Sequence, residues 1–285
     1  MKPSEDELLR LSAPLAFALA RRYCASSCRW HHGIWQYLRL LGLVSSAARH
    51  QEFFQTELGA LARGGALPQG GGYRRVLISG AADYAMLEVV AGAYGGGALL
   101  PSLVDICQTP IETCRWYAER QGISLATKAG DILDFDADEP FDIVCSHSFL
   151  QFFTPAARTR LMARWHRLLR PGGKVVTVTR ISSGGAFNKA KSAAFRDRVL
   201  SEAERHRALL DIAPETLADH AARYAAGAAR HHLGSGEEVA RLFEAGGFSL
   251  DRLELKRAEG SVGAGEGGPG LNQGAQYALI VAARD

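Results

Sequence analysis

From Arg74 onward the chain alternates between short apolar runs and helical stretches, and few folds accept that rhythm. "RRVLISG" leads into a helix from about Asp83, and "ALLPSLVDI" into another from about Pro110. "ISLATKAGD" and "FDIVCSH" follow, then a helix from about Pro155 and the strand "KVVTVTR". Repeated β-α units of this kind predict a doubly wound α/β fold, a mainly parallel sheet with helices on both faces. Ligands of such sheets sit outside the carboxyl ends of the strands, near the point where strand order reverses. A site is therefore expected just after Ile78, Val104, Val144 and Val178.

The flanking regions have other patterns. Between Glu5 and about Arg63 apolar residues recur at helical spacing in "DELLRLSAPLAFALARRY", "WHHGIWQYLRLLGLV" and "SAARHQEFFQTELGALA", which predicts three helices. "GGALPQGGGY" then reads as a Gly/Pro linker. Ser182 to Gly234 is rich in Ala, Arg and His and reads as a helical insertion. The sheet pattern resumes with "SGEEVARLFEAGG", where Ser235 and Glu238 are spaced as a capping box. Two further strands, "FSLDRLELKR" and "AQYALIVAA", enclose the glycine-rich "AEGSVGAGEGGPGLNQG", read as a hairpin loop. The expected organisation is a helical N-terminal cap over 1–72 and an α/β domain over 73–285, with the insertion at 182–234.

Charge narrows the class of partner. The 33 basic and 30 acidic residues leave a net charge of +3 without a long single-sign run, so a nucleic-acid footprint is absent. A small-molecule substrate is expected, with neither nucleic acid nor membrane as partner; a homodimer stays open. No apolar run approaches the ~20 residues of a membrane span, and "MKPSEDELLR" lacks the character of a secretory signal, so the expected address is cytoplasmic. Five cysteines in such a chain are expected to be free thiols.

Two acidic residues close strands. Asp105 in "LVDICQTP" lies 25 positions after Gly80 (105 minus 80), near the roughly 20-residue spacing of a tight phosphate or nucleoside loop and its ribose-binding acid. Asp131 in "AGDILDF" closes another strand; Ile132 beside it could lie against a base while the carboxylate accepts from an exocyclic amine.

The order of "VLISG", "LVDI", "GDILDF", "FDIVCSHSFLQFF" and "LLRPGGKVVTV" resembles the class I S-adenosylmethionine-dependent methyltransferases, over roughly Tyr73 to Asp285. The resemblance implies a Rossmann-like seven-stranded sheet with an antiparallel last strand, and S-adenosylmethionine as cofactor. It implies a cofactor site of Ser79, Gly80, Ala81, Asp83, Asp105, Ile106, Asp131, Ile132, Ser146 and His147. Within it Gly80 would approach the methionine moiety, Asp105 the ribose, Asp131 and Ile132 the adenine, and Ser146 with His147 the sulfonium end. The family usually carries an acid two positions before its first loop glycine and glycines two and four after it; here Ile78, Ala82 and Tyr84 stand there. Tyr84 cannot take glycine's left-handed conformations cheaply, so the loop must turn differently. Asp83 is then the candidate partner of the cofactor's ammonium group.

Methyl transfer from a sulfonium needs alignment and exclusion of water more than a general base. His147 is a candidate base or orienter, and His31 a second candidate catalytic group. In "YCASSCRWHHGIWQY" the residues Tyr23, Trp30, His31 and Ile34 would lie near one helical face with Trp35 beside it, and Tyr23, Trp30, His31 and Trp35 would serve either as a lid that binds substrate or as an anchor onto the core. Cys24, Cys28, His31 and His32 also have ligand chemistry. One helix cannot readily wrap four ligands around a tetrahedral ion and no second cluster appears, so no metal is expected. The expected activity is methyl transfer to an O or N atom of a small molecule in bacterial specialised metabolism. The alternatives are C-methyl or aminopropyl transfer, or a non-catalytic cofactor-binding partner subunit.

Overall fold

The computed structural model describes residues 4–64, 73–94, 99–181, 189–227, 231–257 and 276–285. Among these, β1 (Arg74–Ser79), β2 (Leu99–Asp105), β3 (Ala126–Ala129), β4 (Phe141–His147), β5 (Leu169–Ile181), β6 (Phe248–Arg257) and β7 (Gln276–Arg284) form one sheet. Its order is β3-β2-β1-β4-β5-β7-β6. The first five strands run parallel, and β7 lies antiparallel between β5 and β6. The order reverses between β1 and β4, which opens a crevice at their carboxyl ends.

The period of two along β1 divides the sheet's faces. Val76 and Ile78 enter one core with Leu103, Ile143 and Val176, while Leu77 enters the other with Val104, Val144 and Val175. The first face is covered by α4 (Gln51–Gly64), α5 (Ala85–Tyr94) and α6 (Gln108–Gln121), through Phe54, Leu58, Leu87, Val90 and Ile111. The second is covered by α7 (Pro155–Leu168) and α10 (Gly236–Ala245), through Leu161, Trp165, Val239 and Phe243. Each such aliphatic or aromatic side chain contributes roughly 1.5–3 kcal/mol by burial.

Local sequence sets the helix ends. Thr154 caps α7 by accepting from the Ala157 N–H, with Pro155 in the first turn where no donor is missed. Ser235 accepts from the Glu238 N–H, as the capping pattern predicts. Glu238 reaches back to the Gly234 N–H rather than to that of Ser235, one residue beyond the expected box.

The helical preface differs from its prediction in one place. The stretch from Trp30 to Val44 is not one helix but α2 (Arg29–His32) and α3 (Trp35–Leu40), broken at Gly33. A Cβ at Gly33 would come within 2.9 Å of the Arg29 carbonyl oxygen and 3.1 Å of Ala20 Cβ, so its absence lets this bend press against α1 (Glu5–Tyr23). The insertion forms α8 (Lys189–Arg205) and α9 (Pro214–Gly227). Phe195, Leu217 and Ala221 from it share a third core with Ala13, Ile34 and Leu38 of the preface. Two regions remote in sequence thus build one roof over the crevice. The predicted linker after Gly64 and the predicted glycine-rich hairpin loop fall on 65–72 and 258–275, outside the described residues. No described helix is long and apolar enough to cross a membrane.

Candidate active site

A cavity of about 870 Å³ lies between the carboxyl ends of the strands and this roof. Its floor comes from four strand ends: Gly80 to Asp83 after β1, Asp105 and Ile106 after β2, Gly130 to Ile132 after β3, and His147 to Phe149 after β4.

Gly80 makes the first turn. It takes φ +74°, and a Cβ there would lie 2.2 Å from the Phe149 ring, so any side chain is excluded by conformation and by contact. Its N–H donates to the Val104 carbonyl oxygen at 2.9 Å. Gly80 alone carries the left-handed conformation in this turn. The glycines expected two and four positions later are not needed. Tyr84 is fully buried below the turn, stacked on Tyr117 with ring centroids 4.6 Å apart and planes 4° from parallel.

Asp83 borders the cavity, but its carboxylate is already engaged. Oδ2 accepts from Arg39 of α3 at 2.7 Å, with both side chains nearly inaccessible, and Oδ1 accepts from the Ala85 N–H at the start of α5. The expected pairing with a cofactor ammonium therefore competes with a guanidinium already in place.

Asp105 is aimed by two backbone donors. Oδ2 accepts from the Ala81 N–H at 2.9 Å and Oδ1 from the Cys107 N–H at 2.7 Å. Burial pushes its carboxyl above the ordinary range, against the pull of His32 and these two donors. A carboxylate has about four acceptor positions, so two remain for a vicinal diol. The next residue, Ile106, is 77% exposed although large and apolar, and it faces the cavity. Asp131 also borders the cavity and steadies its own turn by accepting from the Leu133 N–H, while Ile132 is buried beside it. An acid paired with an accessible isoleucine, next to an open glycine turn at Gly130, fits a nucleoside lying across the strand ends.

His147 lies opposite these groups and faces the cavity, with its Nε2 3.0 Å from Nδ1 of His50. His50 comes from the short 3-10 turn Ala47–His50, and its ring meets Tyr277 at 4.6 Å. Burial lowers both imidazoles: His147 well below its ordinary value, helped by His50, and His50 to about 4. Both are neutral near pH 7, and one proton bridges the two rings. Just beyond, Ser148 adopts φ +51°, a conformation non-glycine residues take at a cost. It is held there by its N–H to the Val178 carbonyl oxygen at 2.7 Å and by Gln151 Nε2 donating to its own carbonyl oxygen at 3.0 Å. That reversal brings the Phe149 ring over Gly80. Gln151 Oε1 is buried in the cavity wall without a partner among the described residues, an acceptor that costs about 1–3 kcal/mol unless something in the cavity donates to it.

The roof is aromatic. His31 stacks on Tyr224 of α9 at 5.1 Å and 8°, meets the edge of Trp35 at 4.8 Å and lies 6.3 Å from Phe152. Trp30 packs edge-on to His220, with Arg223 over its ring. Trp30, His31 and Trp35 all border the cavity. Three expected site residues do not. Ser79 is buried and accepts from Trp165 Nε1 at 3.0 Å. Ser146 is buried with its hydroxyl on Thr177 at 2.7 Å. Tyr23 ends α1 facing solvent, with Arg22 over its ring, because the chain turns after it rather than continuing as one helix.

His50, Phe149, Gln151, Phe152 and Tyr224 are site or site-supporting residues that sequence reasoning missed. The two phenylalanines and Gln151 lie in "SHSFLQFF", already marked by the resemblance, so position after β4 was a usable signal for them. Nothing local marks His50 or Tyr224.

Residues 87–173 match the family model described as "Methyltransferase domain". No curated protein matches. Among solved structures, the [4+2]-cyclase SpnF superposes with a TM-score of 0.52 at 14% identity, covering 100% of this chain and 97% of its own, and shows the same fold. The N-methyltransferase NodS from Bradyrhizobium japonicum, bound to S-adenosyl-L-homocysteine, matches at TM-score 0.49 and 15% identity over 94% and 98% of the two chains. A SAM-dependent methyltransferase from Methanosarcina mazei matches at TM-score 0.48 and 18% identity over 74% and 92%.

Proposed function

We propose that this chain, whose residues 87–173 match a methyltransferase domain, is a class I S-adenosylmethionine-dependent methyltransferase that methylates an oxygen or nitrogen atom of a small, largely apolar molecule. The observation that carries the proposal is the division of one cavity into a nucleoside-binding floor and an aromatic roof. We assign Asp105 to the ribose hydroxyls, Ile106 and Ile132 to the faces of the adenine, and Asp131 to its exocyclic amine. Gly80 and Ala81 give the backbone approach to the amino-acid tail. When bound, S-adenosylmethionine supplies a methyl group on a cationic sulfonium.

The chain's own residues hold the acceptor, exclude water and take up a proton. Trp30, His31, Trp35 and Tyr224 suit a flat acceptor, since aromatic faces and edges bind planar rings in offset or edge-on geometry. Enclosure under the roof removes competing water. The neutral His147, backed by His50, accepts the proton of a hydroxyl acceptor, and an amine needs it only to lose its proton after transfer. A setting in bacterial specialised metabolism suits an enclosed small-molecule pocket, and a reducing cytoplasm suits the free thiols. The cap and α/β unit assigned to 1–72 and 73–285 are proposed as parts of one catalytic unit, because the cap supplies one wall of the pocket.

Calorimetry with S-adenosylhomocysteine tests the cofactor assignment. Intact protein is expected to bind, Ile106→Ala to weaken binding about 5- to 10-fold through lost apolar contact, and Asp105→Asn to weaken it more. Well-folded protein without measurable binding would overturn the reading. Methyl transfer to a panel of phenols and aromatic amines tests the acceptor class.

A further inference from the structure

We propose that Cys24, Cys28, His32 and Cys107 form a tetrahedral binding site for a thiophilic divalent ion, Zn²⁺, that fastens the N-terminal roof to the carboxyl edge of the sheet. Among the described residues these four offer ligand atoms that all lie within 4.8 Å of one another. Cys24 Sγ is 3.5 Å from both Cys107 Sγ and His32 Nδ1, and Cys28 Sγ is 3.9 Å from Cys107 Sγ. Tetrahedral zinc with Zn–S bonds of about 2.3 Å has sulfur–sulfur edges of roughly 3.8 Å, so the four atoms already sit near the corners such an ion requires.

The backbone explains how a spacing unsuited to one helix becomes suitable. Cys24 is the C-cap of α1, Cys28 the N-cap of α2, and His32 its last residue. The turn from Cys24 to Cys28 folds the three inward instead of fanning them around one helix. The fourth ligand arrives from 75 positions beyond His32 (107 minus 32): Cys107, at the N-cap of the fourteen-residue α6. This removes the ground on which no metal was expected. Cys24, His32 and Cys107 are buried, whereas Cys28 is partly exposed and borders the cavity, giving an ion a path in.

Packing alone does not account for the cluster. Cys24 Sγ has only one proton to donate but contacts Cys107 Sγ, His32 Nδ1 and, at 3.1 Å, Thr109 Oγ1. Cys107 stands at the N-cap of α6, where the helix terminus favours a thiolate. Thiolate is the ligating form. With four protein ligands the site has no open position, so its role is structural. It is also close to the cofactor floor: the Cys107 N–H donates to Asp105, so an ion at Cys107 steadies the turn that presents the ribose-binding carboxylate.

Metal analysis of protein purified under reductant, with no zinc added, is expected to give about one zinc per chain. Exchange with Co²⁺ should give the thiolate-to-cobalt charge-transfer and intense visible bands of tetrahedral sulfur coordination. Cys28→Ser, the substitution at the exposed corner, should weaken Zn²⁺ binding by more than the ~10–100-fold typical of an outer-sphere change. Thr109→Val, which leaves every ligand in place, should weaken it by less. Cys145→Ala, in β4 away from the cluster, should leave metal content unchanged. Folded protein that holds no zinc, and whose thiols micromolar Zn²⁺ does not protect from an aromatic disulfide reagent, overturns the proposal. So does a Cys24–Cys107 disulfide as the purified state, seen by non-reducing peptide mapping. S-adenosylhomocysteine binding is measured on the same protein, so the zinc proposal, which rests on the metal readouts alone, and the enzymatic reading fail separately.

Discussion

The floor and the roof of the cavity are built by opposite means. On the floor, functional groups come in adjacent pairs at strand ends: Gly80 with Ala81, Asp105 with Ile106, Asp131 with Ile132. Parallel pairing of β1 with β2 and β4 fixes their spacing through backbone hydrogen bonds, so side-chain changes move them little. In the roof the contacts join residues far apart in the chain, such as His31 with Tyr224 and Trp30 with His220, and side-chain contacts rather than a shared strand ladder position them. A rigid floor suits an invariant cofactor, and a packed but backbone-independent roof suits a variable acceptor.

The two are joined by the Arg39–Asp83 ion pair, and breaking it should have the largest effect. Both side chains are almost wholly buried, and Arg39 also reaches Glu5. Arg39→Ala leaves the Asp83 charge uncompensated beside the first turn, which for a buried pair costs about 3–5 kcal/mol. Urea unfolding should show that loss, and S-adenosylhomocysteine affinity should fall with it. A loss near 0.5 kcal/mol, ordinary for an exposed pair, would mean that floor and roof are not coupled at this point.

How far each part could be read in the sequence follows the same division. All seven strands and the acids that close two of them were legible because apolar runs and turn positions are local properties; parallel direction followed from the β-α alternation, and the antiparallel β7 only from the family resemblance. The break at Gly33 was not, because its cause is the approach of α1, a tertiary contact. Ser79 and Ser146 were assigned to the cofactor by their neighbourhood. Alternation in the strands instead directs them into the sheet, onto Trp165 and Thr177. Asp83 borders the cavity, but its partner Arg39 is 44 positions away and no spacing rule connects them. His50 and Cys107 were illegible for a similar reason: each acquires its significance from a neighbour in another element.

The histidine pair, where roof meets floor, should give an intermediate effect that appears with pH. Burial, then the positive charges of Arg49 and Lys256, hold His50 near 4, with an offsetting hydrogen bond at Ser46. An unfolded chain takes up this proton near pH 6.5, before the folded one does. Between about 6.5 and 4 the unfolded state therefore binds more protons, and stability is lost as pH falls through that window. The contribution is on the order of 1–3 kcal/mol, reduced by partial exposure. His50→Gln should flatten the stability profile between pH 7 and 5. Parallel profiles for variant and parent would show that the histidine is not held neutral by the fold.

The smallest effect on stability is expected within the roof, and it is the one that separates the two walls most cleanly. Tyr224→Leu removes the ring stacked on His31 but keeps an apolar side chain of comparable reach at a position 6% exposed. The aromatic pairing is worth about 0.5–1.5 kcal/mol, and its loss should lower stability by no more than that. The ring packs on His31 and Trp35 of the roof, so affinity for S-adenosylhomocysteine should stay within about twofold of the parent, under 0.5 kcal/mol. The acceptor wall does depend on it. KM for a planar acceptor should rise several-fold, with a smaller change for a compact aliphatic one, because only the planar molecule loses a stacking surface. A matched loss of cofactor affinity would show that the roof shapes the nucleoside floor as well, and the two walls would then have to be treated as one cooperative site.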